Sequence, residues 1–533
     1  MKKAVLSIAL AFAAFSVAMA AEWNFPDPIF TSGQQVTEIL AFNEDDTHFF
    51  NRKEAATREG LEGYIDQVCR GAVTHFFICA NGQRAIFDSK AIDSAWKDKE
   101  EPKGYEANLK ALADQGLDPI RVWAEKCRRK GVVPWVSIRM NDIHCVNEPA
   151  HPYLSSFWRN HPELWRGGQN DEQHGLRGFD YSKKEVRDYF LAFVKEVIDR
   201  YECVEGIELD WLRFPDHLPP GRARENAHFL TEFVRDVRAY ANAAVEKRGC
   251  PIRVSVRVAT VPENALGYGT DALAWAREGL VDLIVPHNYR YAPDYELPLI
   301  RWTELVAAVN PRVRVIPGCD ASIKIENLAP DRKMNLDEYC AWADVMQARG
   351  AKGLYLFNLY ENPPDSEVWN EILDHGLSRD YVAKHRRRYP LSYLDTSGGN
   401  PSGRKLPAAI DRDFTFTLPV GTVPAAGTAA LLLAFDGDVP PETLANVTLN
   451  AAKVATVADE PAANWVNGYK SNMHTIKWKD LPQYRFEVPQ VKKSVRLAFP
   501  LAAVKAGANA VCLKGAPDVQ AKLICCELEI DPK

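Results

Sequence analysis

Eight short apolar runs, each followed by an amphipathic stretch, occupy residues 35–380, and this alternation limits the fold more than any other feature of the chain. The runs are Val36–Phe42, Val73–Ala80, Val132–Arg139, Val204–Asp210, Ile252–Ala259, Val281–Pro286, Val313–Pro317 and Gly353–Asn358. They are rich in Val and Ile and largely apolar, as strands covered on both faces must be. Between them, apolar residues recur at helical spacing. Ser182 followed by Glu185 predicts a capping box; Val186, Phe190, Phe193, Val194, Val197 and Tyr201 then fall on one face. A second helix puts Leu230, Phe233, Val234, Val237, Ala241 and Val245 together. Eight strand–helix units in about 350 residues predict an α/β fold, a (β/α)8 TIM barrel. An open doubly wound sheet fits less well, because no glycine-rich phosphate loop follows the first run.

The barrel does not use the whole chain of 533 residues. Met1-Lys2-Lys3, the apolar stretch Ala4 to Val17 and the small-residue site Ala18-Met19-Ala20 predict a secretory signal peptide over 1–20. Export to the periplasm, cell surface or medium follows from it. No stretch is long enough to span a bilayer. After Pro390 the pattern changes. Residues 396–403 read as a linker by their turn residues. Short alternating runs then follow, such as Phe414–Leu418, Ala430–Phe435 and Ser494–Phe499, and they predict a β-sandwich. The expected domains are therefore a barrel over 21–395 and a C-terminal β-sandwich over 396–533. Removing Lys2 and Lys3 takes the formal charge from -6 to about -8, which argues against nucleic acid as a partner. The cluster Lys384-His385-Arg386-Arg387-Arg388 reads as a solvated helix end. Eleven cysteines include no CxxC pair and no zinc spacing, so no metal or other cofactor is expected. Cys79, Cys203, Cys512 and Cys525 read as small buried hydrophobes.

Chemistry in such a barrel sits where the strands end. The fourth run closes in Glu205-Gly206-Ile207-Glu208-Leu209-Asp210-Trp211-Leu212-Arg213-Phe214-Pro215. Residues two apart in a strand share a face, which joins Glu208 to Asp210. Two acids on an inner face are costly unless paired or used. The other strand ends add Asn43, Arg139, Asn141, Arg257, His287, Tyr289, Asp320, Asn358 and Glu361. Acids and amides suit sugar hydroxyls, while indoles and phenols suit the apolar faces of sugar rings. The long segment Met140 to Tyr181, with His144, Tyr153, Trp158 and Trp165, is expected to wall this end. Cleaving a glycosidic bond takes two carboxyl groups. Glu208 and Asp210, being adjacent, are expected to act as catalyst and tuner. The opposing acid is then sought among Asp320, Glu263, Asp142 and Glu361, with Asp320 preferred for its place across the barrel. An Arg–carboxylate ring bracing the barrel, from Arg139, Arg213 and Arg257, is the structural alternative.

The run Gly206-Ile207-Glu208-Leu209-Asp210-Trp211-Leu212-Arg213-Phe214-Pro215 resembles the fourth-strand motif of the glycosyl-hydrolase-like barrel proteins, especially glycosyl-hydrolase-like family 10. His161-Pro162-Glu163-Leu164-Trp165 and Phe179-Asp180-Tyr181-Ser182 resemble the lead-in before it. The resemblance covers most of 35–375. It implies a (β/α)8 fold and a glycan-hydrolysing role, with Asp210 at the family's acidic position. The motif is also similar to that of family-18 chitinases, but Leu212 stands where the chitinase acid would be. That departure argues against attack by a substrate N-acetyl group.

The expectation is an exported glycoside hydrolase with Asp210, Glu208 and Asp320 as catalytic acids. Asn43, Arg139, Asn141, Trp211, Arg213, Arg257, His287, Tyr289, Asn358 and Glu361 are expected to bind a carbohydrate, anionic sugars included because guanidinium groups match carboxylate and sulfate. The alternatives are a non-catalytic carbohydrate-binding protein on a degenerate barrel and a structural envelope protein.

Overall fold

Apolar runs covered on both faces need helices on one side and a packed interior on the other, and the chain supplies both. The structure, a computed structural model, describes residues 39–45, 47–168, 173–249, 251–288, 293–361 (without 325–330), 366–391, 406–461 and 491–533. The expected signal peptide, the linker over 396–403 and Tyr289 lie outside the described residues. All those described belong to one compact unit, Glu38–Lys533.

The barrel strands are β1 (Ile39–Glu44), β2 (His75–Cys79), β3 (Val133–Arg139), β4 (Gly206–Asp210), β5 (Arg253–Ala259), β6 (Leu283–His287), β7 (Arg314–Val315), β8 (Gly318–Cys319) and, after a hairpin of β9 (Ser322–Lys324) and β10 (Asp331–Lys333), β11 (Gly353–Phe357). They pair in parallel in the order β7-β6-β5-β4-β3-β2-β1-β11-β8. β7 and β8 are two halves of one stave. The first pairs β6 and the second pairs β11. Between them the Ile316 N–H bonds Ile284 O at 3.1 Å and Pro317 O accepts the Tyr355 N–H at 3.0 Å. Proline has no N–H to give, so the stave changes partners there. Eight staves thus form the α/β barrel.

Alternation decides which side chains line the interior. Ile207 and Leu209 face the helices, and Glu208 and Asp210 face the axis. Trp135 and Phe77 stack inside, ring centres 5.2 Å apart. Gly206 makes room for that indole: a Cβ there would sit 2.4 Å from the Trp135 ring. Helix Arg58–Val68 is capped by Thr57 and helix Leu336–Ala348 by a full Asn335–Glu338 capping box. The box expected at Ser182 does not form. Helix Lys184–Arg200 begins at Lys183 without a side-chain cap, and Asp180 accepts the Ser182 N–H at 2.8 Å instead. Asp180 reaches that N–H locally, as an aspartate bonding the backbone two residues on.

The C-terminal strands are β12 (Arg387–Pro390), β13 (Ala408–Ala409), β14 (Phe414–Val420), β15 (Gly427–Phe435), β16 (Thr448–Leu449), β17 (Ala452–Lys453), β18 (Thr456–Asp459), β19 (Lys493–Phe499), β20 (Gly507–Leu513) and β21 (Lys522–Pro532). They form antiparallel sheets ordered β12-β21-β15-β19-β18, with β13 also on β21, and β14-β20-β16-β17, a β-sandwich. The basic cluster is not a solvated helix end. Arg387 and Arg388 lie in β12 and are buried. Arg388 Nε bonds Glu529 at 2.9 Å. Arg387 reaches Asp344 at 3.2 Å and Thr422 Oγ1 at 2.7 Å. Asp344, on helix Leu336–Ala348, also accepts from Tyr389 Oη, Gly421 N and Thr422 N at 2.6, 3.0 and 2.9 Å. One barrel carboxylate therefore fastens β12 and the segment that follows β14.

Removing it leaves a buried guanidinium without its charge partner. Asp344→Ala is expected to cost ~3–5 kcal/mol, read as a lowered midpoint in urea unfolding; a midpoint unchanged from wild type would contradict this role.

Candidate active site

The inward positions of β3, β4 and β5 stand in register: Ser137, Glu208 and Ser255 at one level, Arg139, Asp210 and Arg257 at the next. The lower level is sealed. Glu208 is 0% exposed. Its Oε1 accepts from Ser137 Oγ and from Tyr355 Oη, both at 2.8 Å, and Ser255 Oγ lies 3.4 Å from Oε2. Tyr355 comes from β11, across the barrel, and accepts in turn from Asn43 Nδ2 at 2.7 Å. This network floors the site. Burial, with the Asp210 charge above, pushes the Glu208 carboxyl up to about 7.

Asp210 sits on that floor, where β4 ends. Its Oδ1 accepts from Arg257 Nε and from the Leu212 and Arg213 N–H groups, each at 3.0 Å. Its Oδ2 accepts from Arg257 Nη2 at 2.6 Å. The two-pronged pair fixes the carboxylate plane. The Arg257 guanidinium in turn lies 4.1 Å from the centre of the Phe357 ring and 3.2 Å from His287 Nδ1. Burial and the Arg257 charge hold the His287 imidazole well below its usual range, so it is neutral. Its ring packs against Gly318, where a Cβ would lie 2.3 Å from it.

Around the mouth, cations and acids alternate. Arg139 pairs with Asp45 and, at 2.7 Å, with Asp142. Arg213 Nη2 lies 3.7 Å from Asp45 and 3.5 Å from His144 Nε2. Asp142 also accepts from Tyr153 Oη at 3.0 Å and faces His144 Nδ1 at 2.8 Å. Burial would raise the Asp142 carboxyl, but the charges of His144 and Arg139 hold it well below the usual carboxylate range. Tyr360 Oη reaches Asp45 at 2.6 Å and Asn358 Oδ1 at 2.8 Å, and Asn358 Nδ2 reaches Asp320 Oδ1 at 3.2 Å. Asn358 holds φ at +58°, in the left-handed region that asparagine adopts more readily than most side-chain-bearing residues.

Asp210, Arg139, Arg213, Arg257, His287, Asp320 and Asn358 thus share one end of the barrel. Glu208 and Asn43 lie beneath it. Two expected binding residues lie elsewhere. β4 stops at Asp210, the chain turns, and Trp211 goes outward into a core of Tyr181, His217, Phe233 and Trp275. Asn141 holds the long insertion in place by donating to Phe179 O and Asp216 O at 3.0 and 2.8 Å. Glu263, a candidate opposing acid, forms an exposed pair with Arg301. The side chain of Glu361 lies outside the described residues. Asp45 and Tyr360 stand at strand ends, where sequence places functional groups; Tyr355 and Phe357 were not singled out by sequence, and they fall on the inward alternation of β11, which is the signal that could have found them. A pocket lined by Ile39, Leu40, Gly353, Gly376 and Leu377 opens where the strands begin, away from the acids.

No family model matches the chain, and no curated protein matches it in sequence. Solved structures with a similar course include a cycloisomaltooligosaccharide glucanotransferase from Paenibacillus sp., at 10% identity and TM-score 0.34, covering 93% of this chain and 58% of that one. An alpha-L-fucosidase from Vibrio sp. strain EJY3 is similar at 10% identity and TM-score 0.37, over 92% of this chain and 73% of that one. A GH27 β-L-arabinopyranosidase from Geobacillus stearothermophilus is similar at 10% and 0.36, over 93% and 96%. No helix among the described residues is long and apolar enough to cross a membrane.

The raised Glu208 carboxyl makes stability depend on pH. The unfolded chain loses this proton near the ordinary value of 4.5, whereas the folded chain keeps it to about 7. Folded stability therefore falls as pH rises through that window. Glu208→Gln removes the fall, so the stability of the variant relative to wild type should grow by ~3 kcal/mol between those limits and level off above them. A difference that is flat with pH in denaturant titrations would contradict the sealed floor.

Proposed function

We propose that the chain is a glycoside hydrolase that cleaves O-glycosidic bonds of a poly- or oligosaccharide at the mouth of its barrel, with Asp210 as the carboxylate that attacks the anomeric carbon. One observation carries the reading. Arg257 grips Asp210 through both carboxylate oxygens, so the carboxylate is charge-paired and fixed in plane at the end of β4. An immobile carboxylate held by a guanidinium suits a nucleophile and not a proton donor. Oδ1 accepts three hydrogen bonds and Oδ2 one, which leaves Oδ2 as the attacking oxygen.

In this reading Glu208 does not touch substrate. It supports Asp210 from below and takes up the proton that two stacked acids cannot both lose. Asp320, whose Oδ1 is engaged by the Ala321 N–H at 2.7 Å and by Asn358, binds sugar hydroxyls together with Asn358 and His287. Arg139, Arg213 and Arg257 already face aspartates, so the substrate we assign is a neutral glycan. The leader sequence supports export to meet it.

A second reading has its own observation. Aspartates 45, 142 and 210 face Arg139, Arg213 and Arg257, a charge-balanced ring that would brace a carbohydrate-binding barrel without chemistry. Turnover of a polysaccharide panel separates the two. Wild type is expected to cleave at least one neutral glycan, and Asp210→Asn to lower that rate at least ~100-fold with glycan binding kept. An unchanged rate in the variant would sink the role of Asp210. Wild-type binding with no turnover would favour the brace.

A further inference from the structure

A carboxylate nucleophile needs a partner that can give and take a proton, and the other carboxyl groups at the mouth are poorly placed for it. Glu208 is sealed beneath the site. Asp142 is committed to Arg139, Tyr153 and His144. Asp45 is taken up by Arg139, Arg213 and Tyr360, Asp320 Oδ1 by the Ala321 N–H and Asn358, and Glu263 is outside, on Arg301. His144 is different. Its side chain is 34% exposed, against 0% for Asp142. Asp142 Oδ1 receives both the His144 backbone N–H, at 2.9 Å, and His144 Nδ1, at 2.8 Å. That carboxylate keeps a proton on Nδ1 and turns Nε2 toward the mouth, where Arg213 Nη2 lies 3.5 Å from it. Phe214 and Tyr153 stand edge-on to the imidazole at 4.8 and 6.0 Å and fix its plane.

We propose that His144, oriented by Asp142, is the acid/base residue of this site; the proposal rests on the hydrolytic reading above and supplies the partner that Asp210 requires. In the first half, Asp210 Oδ2 bonds the anomeric carbon while the glycosidic C–O bond breaks. Its electron pair stays on the leaving oxygen, which takes the proton from His144 Nε2. In the second half, water attacks the anomeric carbon and gives its proton to Nε2. The bond to Asp210 breaks and returns its electron pair to the carboxylate. The sum is the addition of one water across the glycosidic bond.

Five groups face the imidazole or back it: Asp142 and Arg139 at the end of β3, Arg213 after β4, Tyr153 from the insertion, and Asp45 behind Arg139. Crowding by protein and the Arg213 charge lower the His144 imidazole, and Asp142 opposes them without reversing the shift. Since the first half needs the protonated form, kcat/KM should fall as pH rises, with an alkaline limb below the ordinary imidazole value of about 6.5.

The test is the pH profile of kcat/KM on a glycan that wild type cleaves. His144→Gln is expected to lower kcat/KM by ~10²–10⁴-fold and to abolish the alkaline limb, and added imidazole is expected to restore part of the rate to His144→Gly. Asp210→Asn runs alongside as the control for the reading itself. If Asp210→Asn is dead while His144→Gln keeps the wild-type rate and limb, the role of His144 is overturned and the hydrolytic reading stands. Loss of rate in the His144 variants with the limb retained and no rescue by imidazole also overturns it. Wild type that cleaves no glycan overturns both.

Discussion

The buried pair between Asp210 and Arg257 is the interaction on which the rest of this barrel end depends. The two residues are partners in the β4–β5 register, so strand pairing itself brings them together. Once an acid faces the axis there, a cation must neutralise it, because an unpaired buried carboxylate is expensive. Arg257 does so and must then be held in turn, by the face of Phe357 and by a neutral His287. The turn after β4 follows from the same carboxylate, whose Oδ1 collects the Leu212 and Arg213 N–H groups. That turn brings Arg213 over the mouth.

Beneath the pair, Glu208 and Tyr355 close the barrel interior. Their hydrogen bond spans opposite staves and fixes how far apart those staves stand. Above it, the charges alternate so that each arginine faces an acid. The balance explains how so many ionisable groups can stand close together with little exposure. It also leaves His144 as a more exposed titratable group at the rim, standing on a buried carboxylate.

Much of the fold was legible in sequence, because burial on both faces forces a continuous apolar run and period-two alternation assigns sides. Glu208 and Asp210 were placed on one face by spacing alone, and Arg139, Arg213 and Arg257 were recognisable as cations able to meet them. What spacing could not give was anything that depends on closure. Tyr355 reaches Glu208 only after strands distant in sequence become opposite walls. Trp211 is the exception: it has the composition of a sugar platform, but the alternation that turns Ile207 and Leu209 outward already assigns it to the helical layer. Ser182 and Glu185 have capping-box spacing, yet Asp180 satisfies the N–H first. Arg387 and Arg388 looked solvated because the acids that bury them, Asp344 and Glu529, lie far away in the chain.

The most direct measurement of the central claim is peptide mass mapping after incubation with a 2-deoxy-2-fluoro glycosyl fluoride of a cleaved sugar, which slows release of a covalent intermediate. One glycosyl adduct per chain is expected, on the peptide that carries Asp210 and absent from Asp210→Asn. An adduct on another carboxylate, or full turnover with inversion and no adduct, would contradict it.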